Sequence, residues 1–373
     1  MPFLYSKTVS LGPFFVILLS WSACTLFQPP PYTVYAPTHS SLEQLGRLLF
    51  FDPRLSATGT KSCSGCHDPG LFFTDGYRRS PGIYADLSTR NAPSLLNTAH
   101  LKALNWANPS VTTFEAQMLR PLFNDSPVEM GLKGSHGSTH IPYIQDSFGL
   151  PFQRVLIQMA TDTLYGRLST SIWGITPQKW TQRHVIEAIA AYEKTLISFN
   201  SPYDNWLKGH KDALSPEAEA GRQLFFSKRL GCGNCHSGIL LTDHKMYNIG
   251  LYNIQPDGSY PPSDQGLYEE TFHPADKGRF RTPSLRNIAH TAPYFHDGSA
   301  ENLNEVLLIF SAGGRNILHG LLAGDGRNNV NKSDKIQPFV ITTEEKRHLI
   351  LFLESLTDST VLVNPWFQNP FHY

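Results

Sequence analysis

Two Cys-x-x-Cys-His segments constrain this chain more than any other feature of its sequence. They occupy residues 63–67 and 232–236. Each follows a similar stretch, GRLLFF at 46–51 and GRQLFF at 221–226, which has the pattern of a helix that ends in an aromatic pair. The chain therefore contains an internal repeat, and each copy leads from a helix into two thiols and an imidazole.

A Cys-x-x-Cys-His segment is typical of covalent haem attachment. Two thiols three positions apart can add to the two vinyl groups of a haem, and the next His can reach the iron. A zinc site with all four thiols and a pair of redox disulfides are the alternatives. The pairs lie far apart in sequence for zinc, and a redox disulfide explains neither His. We predict two c-type haems, attached through Cys63, Cys66, Cys232 and Cys235, with proximal ligands His67 and His236.

Residues 1–24 have the outline of an export signal, with one Lys, the apolar run 11–21 and small residues before Cys24. The run is too short to span a membrane comfortably. Trp21-Ser-Ala-Cys24 resembles a bacterial lipoprotein cleavage box, although Trp21 stands where such boxes usually carry Leu. Lipid attachment at Cys24, plain secretion and an N-terminal helix of the fold stay open. We predict export to the periplasm, with lipid anchoring to a bacterial membrane as one outcome.

The length of 373 residues leaves room for two domains of roughly 100–200 residues each. We predict haem domains at 40–210 and 211–373, since the second repeat begins there. The 31 basic and 31 acidic side chains cancel, so the net charge does not favour nucleic acid as a partner.

The fold class predicted from the pattern is mainly α. Helical periodicity joins Val185, Ile189, Tyr192, Leu196 and Phe199, and a second apolar stripe follows the capping box Thr342-x-x-Glu345. No sustained alternating run indicates a strand. Long Gly/Pro/Asn-rich tracts at 68–113, 121–145 and 250–300 separate the helices, and loops of such length are expected where they wrap a ligand. We therefore expect two cytochrome c-like haem domains around an interdomain site, with long loops and little strand.

Four further strings, in this order around the two haem motifs, give the chain a family resemblance. They are FFDPRLS at 50–56, RNAPSLLN at 90–97, PVEMG at 127–131 and TPSLRNIAHTAPYFHDGS at 282–299. Together they closely resemble the bacterial di-haem cytochrome c peroxidase family, including its MauG-type branch. The resemblance runs from about residue 40 to about residue 357, nearly the whole predicted mature chain.

The resemblance implies three residues for the catalytic machinery. Glu129 matches a carboxylate over the open face of the N-terminal haem, where it would move a proton during cleavage of the peroxide bond. Pro121 matches a proline that lines the same pocket. Trp106 matches an electron relay between the haems, although this chain reads Trp-Ala-Asn-Pro where relatives usually have Trp-Asp-Gly-Arg.

The resemblance also implies a calcium ion between the domains. The matching positions are Asn91, through its side chain, and Thr291 and Pro293, through backbone carbonyls. Oxygen ligands of this kind suit calcium, with waters completing the shell. An ordinary turn explains the Thr-Ala-Pro segment equally well.

At two axial positions the chain departs from the family. The peroxidases that need reductive activation carry a second His on the loop after the first haem motif, yet no His lies between His67 and His100. At the second haem, the family's Met or Tyr would fall fourteen residues after His296, where this chain has Phe310. Phenylalanine cannot ligate iron, so either no protein group closes that haem or His319, His290 or water does.

Three functions are compatible with these observations. The first is an exported peroxidase that reduces hydrogen peroxide to water with electrons from a small cytochrome c or copper protein. The second is a MauG-type oxidase of a protein or other organic substrate, and the third is a non-catalytic electron-transfer or haem-sensing protein. The sequence leaves the oligomeric state open, a homodimer included.

The missing His after the first haem motif predicts a reaction without prior reduction. Hydrogen peroxide added to the fully oxidised, haem-loaded protein should change the haem absorption bands quickly, because no second protein ligand blocks the first iron. A titration of the oxidised and half-reduced forms checks this. If only the half-reduced protein reacts, a protein ligand that must first dissociate closes that haem.

Overall fold

Two similar pairs of crossing helices organise this protein, whose computed structural model describes residues 39–133, 150–260 and 262–371. The predicted signal at 1–24, with Cys24, lies outside the described residues. The helices are α1 (Ser41–Phe51), α2 (Phe114–Phe123), α3 (Leu150–Ala160), α4 (Thr163–Trp173), α5 (Gln182–Glu193), α6 (Pro202–Leu207), α7 (Pro216–Phe225), α8 (Tyr268–Thr271), α9 (Leu303–Ser311) and α10 (Thr343–Glu354). Short 3₁₀ turns, including one at each haem motif, lie between them.

The mainly α fold is confirmed, and the described residues contain only short strands. These are β1 (Met246–Tyr247) paired antiparallel with β2 (Phe280–Arg281), and β3 (Asn316–Ile317) paired antiparallel with β4 (Gly324–Asp325). The tract 68–113 has no helix longer than a 3₁₀ turn, and among the described residues of the tract 250–300 the only α-helix is the four-residue α8. Most of the chain around the haem motifs is therefore loop.

Each helix pair crosses at a glycine of the repeated GR(L/Q)LFF segment. In α1, a Cβ at Gly46 would lie 1.8 Å from the carbonyl oxygen of Ala188 in α5. In α7, a Cβ at Gly221 would lie 1.9 Å from the carbonyl oxygen of His348 in α10. These distances leave no room for a methyl group, so the repeat encodes a close backbone crossing in both halves.

The helix starts follow the local signals in the sequence. Ser215 caps α7 by accepting the backbone N–H of Ala218, with Pro216 in the first helical turn. Thr342 and Glu345 form the expected capping box of α10. Both predictions are confirmed, because caps depend on side chains only three positions apart.

The predicted continuation of α5 to Phe199 is wrong. The helix ends at Glu193, and the chain then runs alongside the segment that begins at Pro93. The backbone N–H of Asn97 donates to the carbonyl of Leu196 at 2.7 Å, and its side-chain amide donates to Ser198 at 2.8 Å. These distant partners end the helix while Leu196 stays fully buried.

Two hydrophobic cores lie under the helix pairs. The first joins α1 to α5 through residues such as Leu49, Phe50 and Ile189, and the second joins α7 to α10 through Phe225 and Phe352. The C-terminal segment 361–371 packs on the first core, into which it inserts Val361 and Phe367. The domain division between residues 210 and 211 stays a prediction.

None of the described helices is long and apolar enough to cross a membrane.

The glycine crossings predict a stability difference between two kinds of Gly→Ala substitution. Gly46→Ala and Gly221→Ala should each destabilise the haem-loaded protein by about 3 kcal/mol or more, because the new methyl group forces backbones apart. The matched control is Gly166→Ala in α4, where nothing lies within 4 Å of the added Cβ. That change should stabilise by about 0.5–1 kcal/mol. Denaturant midpoints measure both; similar midpoints for all three variants would show that the crossings tolerate a side chain.

Candidate haem sites

The imidazole rings of His67 and His236 are each held by a backbone carbonyl. Nδ1 of His67 lies 3.0 Å from the carbonyl oxygen of Phe73, and Nδ1 of His236 lies 2.9 Å from that of Leu241. Since a carbonyl oxygen can only accept, Nδ1 carries the proton in both rings. Burial lowers the pKa of both imidazoles, which keeps them neutral and leaves Nε2 available to a metal.

Left-handed backbone turns aim these carbonyls at the imidazoles. Phe73 has φ 61° and Leu241 has φ 53°, a region that non-glycine residues rarely enter. Such conformations cost of order 1–3 kcal/mol and persist only where the surroundings fix them. The same strained turn at both motifs therefore indicates a shared requirement for the orientation of the histidine.

A second repeated segment supports each turn, and sequence reasoning missed it. Residues 93–100 read PSLLNTAH, and residues 283–290 read PSLRNIAH. The hydroxyl of Ser94 donates to the carbonyl of Phe72 at 2.7 Å, and that of Ser284 donates to Leu240 at 2.8 Å. Each acceptor directly precedes the residue that holds the proximal His. Six of the eight residues are identical in the two segments, and this repeat is the signal in the sequence that could have revealed the shared support.

A large apolar cavity lies beside the second motif. It encloses about 1410 Å³ of atom-free space, part of it open to solvent. The thiols of Cys232 and Cys235 and the ring of His236 face it. Its apolar wall includes Leu251, Phe280, Phe295, Leu307, Phe310 and Leu353. Two thiols, a neutral imidazole with a free Nε2 and an apolar cavity fit a c-type haem.

Of the side chains considered for the distal side of the second haem, some line the cavity and others do not. Phe310 lines the cavity, with its ring centroid 6.2 Å from that of Phe295. His319 is exposed, and His290 stacks on Phe72 at 4.9 Å; neither is among the residues that line the cavity. The ring of His296 does line it, stacked on Phe280 at 3.4 Å.

The first motif has the same local chemistry. Its thiols form no disulfide, and burial raises the pKa of both Cys63 and Cys66. Lys61 opposes this effect at both thiols and also acts on the ring of His67. Its ammonium donates to the carbonyl of Pro81 at 2.5 Å. Lys61 is thus a positive charge at the first haem site, and sequence reasoning missed it.

The loop that carries Glu129 folds back onto α2. The backbone N–H of Met130 donates to the carbonyl of Pro121 at 3.0 Å, and that of Leu132 donates to Leu122 at 3.0 Å. Further bonds run from Ala57 N–H to Met130 O at 2.9 Å and from Ile83 N–H to Glu129 O at 3.2 Å. The loop is therefore tied to α2 on one side and, on the other, to the segments before and after the first haem motif.

The Glu129 carboxyl is partly buried, and burial raises its pKa. The positive charges of Lys61 and Arg120 oppose the rise. Since Lys61 also acts on Cys66 and His67, Glu129 lies within electrostatic reach of the same lysine as the first haem motif. Burial therefore makes this carboxylate a stronger base than an exposed one, which suits a group that accepts a proton.

Trp106 connects the two halves. Its indole lines the cavity of the second haem, while its Nε1–H donates to the carbonyl of Asn91 at 3.0 Å. Its own carbonyl accepts the backbone N–H of Arg281 at 2.7 Å. The indole is therefore held between the loop 90–97 and the cavity beside the second motif.

The residues expected to bind calcium lie in neighbouring segments. The backbone N–H of Asn91 donates to His296 O at 2.7 Å, three residues from Pro293, and its side-chain N–H donates to Tyr77 O at 2.8 Å. This orientation leaves Oδ1 of Asn91 for another partner. Over the described ranges, no cluster of three His, Cys, Asp or Glu side chains could hold a metal. A site built from an amide and carbonyls is not tested by that finding, so the calcium ion stays a prediction.

Comparisons with known proteins place the chain in a family. The family model for di-haem cytochrome c peroxidase matches residues 40–212. Cytochrome-c peroxidase IdrP1 of Denitromonas iodatirespirans is 32% identical over 90% of this chain and 86% of that protein. Methylamine utilization protein MauG of Methylorubrum extorquens is 32% identical over 84% of this chain and 77% of that protein.

Solved structures agree with the sequence comparison. A MauG-like protein associated with microbial copper homeostasis is 37% identical, with a TM-score of 0.81 over 94% of this chain and 99% of that one. The diheme peroxidase BthA of Burkholderia thailandensis, 24% identical, shares the fold, with a TM-score of 0.67 over 90% of this chain and 88% of that one. The chain belongs to the di-haem cytochrome c peroxidase family and is an oxidoreductase that carries two c-type haems.

Proposed function

We propose that this protein is an exported peroxidase that reduces hydrogen peroxide to water with electrons from a small cytochrome c or copper protein. One molecule of peroxide takes up two electrons and two protons and gives two molecules of water. The observation that carries the proposal is the position of the Glu129 carboxyl. Backbone hydrogen bonds hold its loop in place, and the charge of Lys61 acts on both this carboxyl and the first haem motif. Haem supplies the binding of peroxide at iron and the transfer of electrons to it.

Glu129 would move the proton. An ionised carboxylate beside bound peroxide can accept its proton and return it to the departing oxygen, which makes the leaving group water. Pro121 supports this task indirectly, because its carbonyl accepts the Met130 N–H that holds the loop in place. Because burial raises its pKa, the Glu129 carboxylate is a stronger base for the first half of that task than an exposed carboxylate would be.

Trp106 would serve as the electron carrier between the halves. The indole lines the cavity of the second haem motif and donates a hydrogen bond to Asn91, in the loop 90–97. Its π-system therefore lies between the two haem motifs, where an electron would pass. The hydrogen bond to Asn91 fixes the ring, so little rearrangement accompanies the loss or gain of an electron. We propose a periplasmic location, in line with the signal outline at residues 1–24.

A second candidate is oxidation of a protein or other organic substrate, as in the MauG-type branch. The likeness to a MauG-like protein, at 37% identity over nearly the whole chain, favours it. The absence of His between His67 and His100 also favours it, whereas Phe310 lacks the hydroxyl of that branch. Turnover with reduced cytochrome c distinguishes the two candidates, because a dedicated substrate oxidase would consume peroxide without oxidising the cytochrome.

The raised pKa of Glu129 predicts the pH dependence of the peroxide reaction. The carboxylate accepts a proton only when ionised, so the bimolecular rate constant should be full above that raised pKa and fall as pH drops through it. Glu129→Gln should lower the rate by about 10²–10⁴-fold and remove this pH dependence. Stopped-flow absorption of the oxidised protein measures both effects.

The matched control for Glu129 is Glu115→Gln, an exposed carboxyl in the first turn of α2. Its rate and pH profile should equal those of the wild type. A wild-type rate and pH profile in Glu129→Gln as well would remove Glu129 from the mechanism.

Trp106→Phe should separate electron delivery from the peroxide step. The variant keeps an aromatic ring but loses the donor to Asn91 and the more easily oxidised indole. Turnover with reduced cytochrome c should fall, while the first reaction of the oxidised protein with peroxide should keep its wild-type rate. Equal slowing of both would show that Trp106 only supports the fold.

A further inference from the structure

Arg281 is a buried cation whose side chain contacts no carboxylate. It is 3% exposed, in β2, and it lines the cavity of the second haem. Its Nε–H donates to Asn105 O at 3.2 Å, and Nη1 reaches Thr282 O at 3.4 Å. Across 39–133, 150–260 and 262–371, it forms no ion pair with Asp or Glu within 4.0 Å.

Two other arginines of the chain, Arg90 with little exposure and Arg286 buried, show what is missing. Arg90 bonds Asp264 at 2.6 Å, and Arg286 bonds Asp204 at 2.6 Å. Burial lowers the pKa of Arg281 to about 10, so its guanidinium is still charged at neutral pH. A charge taken out of water without a partner costs several kcal/mol, which is why buried charges in proteins are paired.

The groups around Arg281 add positive charge. Lys102 and Arg281 both lower the pKa of His244, after the larger effect of burial. Nδ1 of His244 is buried and has no hydrogen-bond partner. The nearby carboxylate of Asp243 accepts from the hydroxyl of Tyr247 at 2.8 Å and from the backbone of Lys245 at 3.0 Å. No Asp or Glu is among the described residues that line the cavity.

We propose that Arg281 binds a propionate carboxylate of the second haem. A c-type haem fixed by Cys232, Cys235 and His236 brings two propionates into the cavity that Arg281 lines. The planar guanidinium can donate two parallel hydrogen bonds to one carboxylate, and its Nη2 has no partner among the described residues. This role rests on haem binding and not on the proposed peroxidase activity.

The pairing also determines the charge that Trp106 experiences. The guanidinium carbon of Arg281 lies 5.8 Å from the centre of the indole. A bare cation there opposes removal of an electron from the ring, and a bound carboxylate cancels that opposition. In the other copy of the repeat, the residue two positions before Pro-Ser-Leu is the neutral Asn91. Arg281 is thus a positioning residue, and this position of the repeat carries a guanidinium only at the second haem motif.

The test compares Arg281→Gln and Arg281→Lys with the control Arg315→Gln in the haem-loaded protein. Arg315 also lies over aromatic rings, 5.7 Å from Tyr252 and 5.8 Å from Phe295, but it donates to the hydroxyl of Ser299 and does not line the cavity. The readouts are the propionate bending bands in the resonance Raman spectrum and the midpoint potential of the second haem.

Arg281→Gln should shift the propionate bands and lower the midpoint potential, because a positive charge that favours the reduced haem is lost. Arg281→Lys keeps the charge and loses the planar pair of donors, so it should shift the bands while its potential stays close to that of the wild type. Arg315→Gln should change neither. Unchanged propionate bands in the lysine variant would overturn the proposal, and this holds even where the glutamine variant fails to take up haem.

Discussion

The hydrogen bond from Nδ1 of each proximal His to a backbone carbonyl is the interaction on which the rest of the structure depends. It fixes the ring, assigns the proton to Nδ1 and leaves Nε2 for iron. A strained turn presents the carbonyl, and a serine of the PSL segment holds that turn from behind. The helix crossings at Gly46 and Gly221 then join the two cores against which Cys63 and Cys232 pack.

The sequence predicts those parts of the fold that depend on neighbouring residues. The cap of α7 by Ser215 and the capping box of α10 were readable because their partners lie three positions away. The end of α5 was not readable, because Asn97, almost a hundred residues earlier, supplies the competing hydrogen bonds. The second copy has the same arrangement, since Asn287, which matches Asn97, donates its backbone N–H to the carbonyl of Leu356 at 3.1 Å, just after α10.

For the haem sites, covalent attachment was predictable and electrostatics was not. A Cys-x-x-Cys-His segment is one continuous signal, whereas the charge at a cavity comes from residues that only folding brings together. The effect of Lys61 on Glu129 and the position of Arg281 near Trp106 both arise only when the chain folds. In sequence, a buried arginine cannot be told from a surface arginine, because the residues next to it do not show whether a carboxylate pairs with it in the fold.

The packing of segment 361–371 on the first core has a consequence for how the protein is made. Val361 and Phe367, near the end of the chain, fill space beside helices that begin at Ser41. The chain is synthesised from its N-terminus, so the first core lacks these two side chains until about 300 further residues have followed α1. Cys63, which packs on this core, is therefore synthesised long before the residues that complete it.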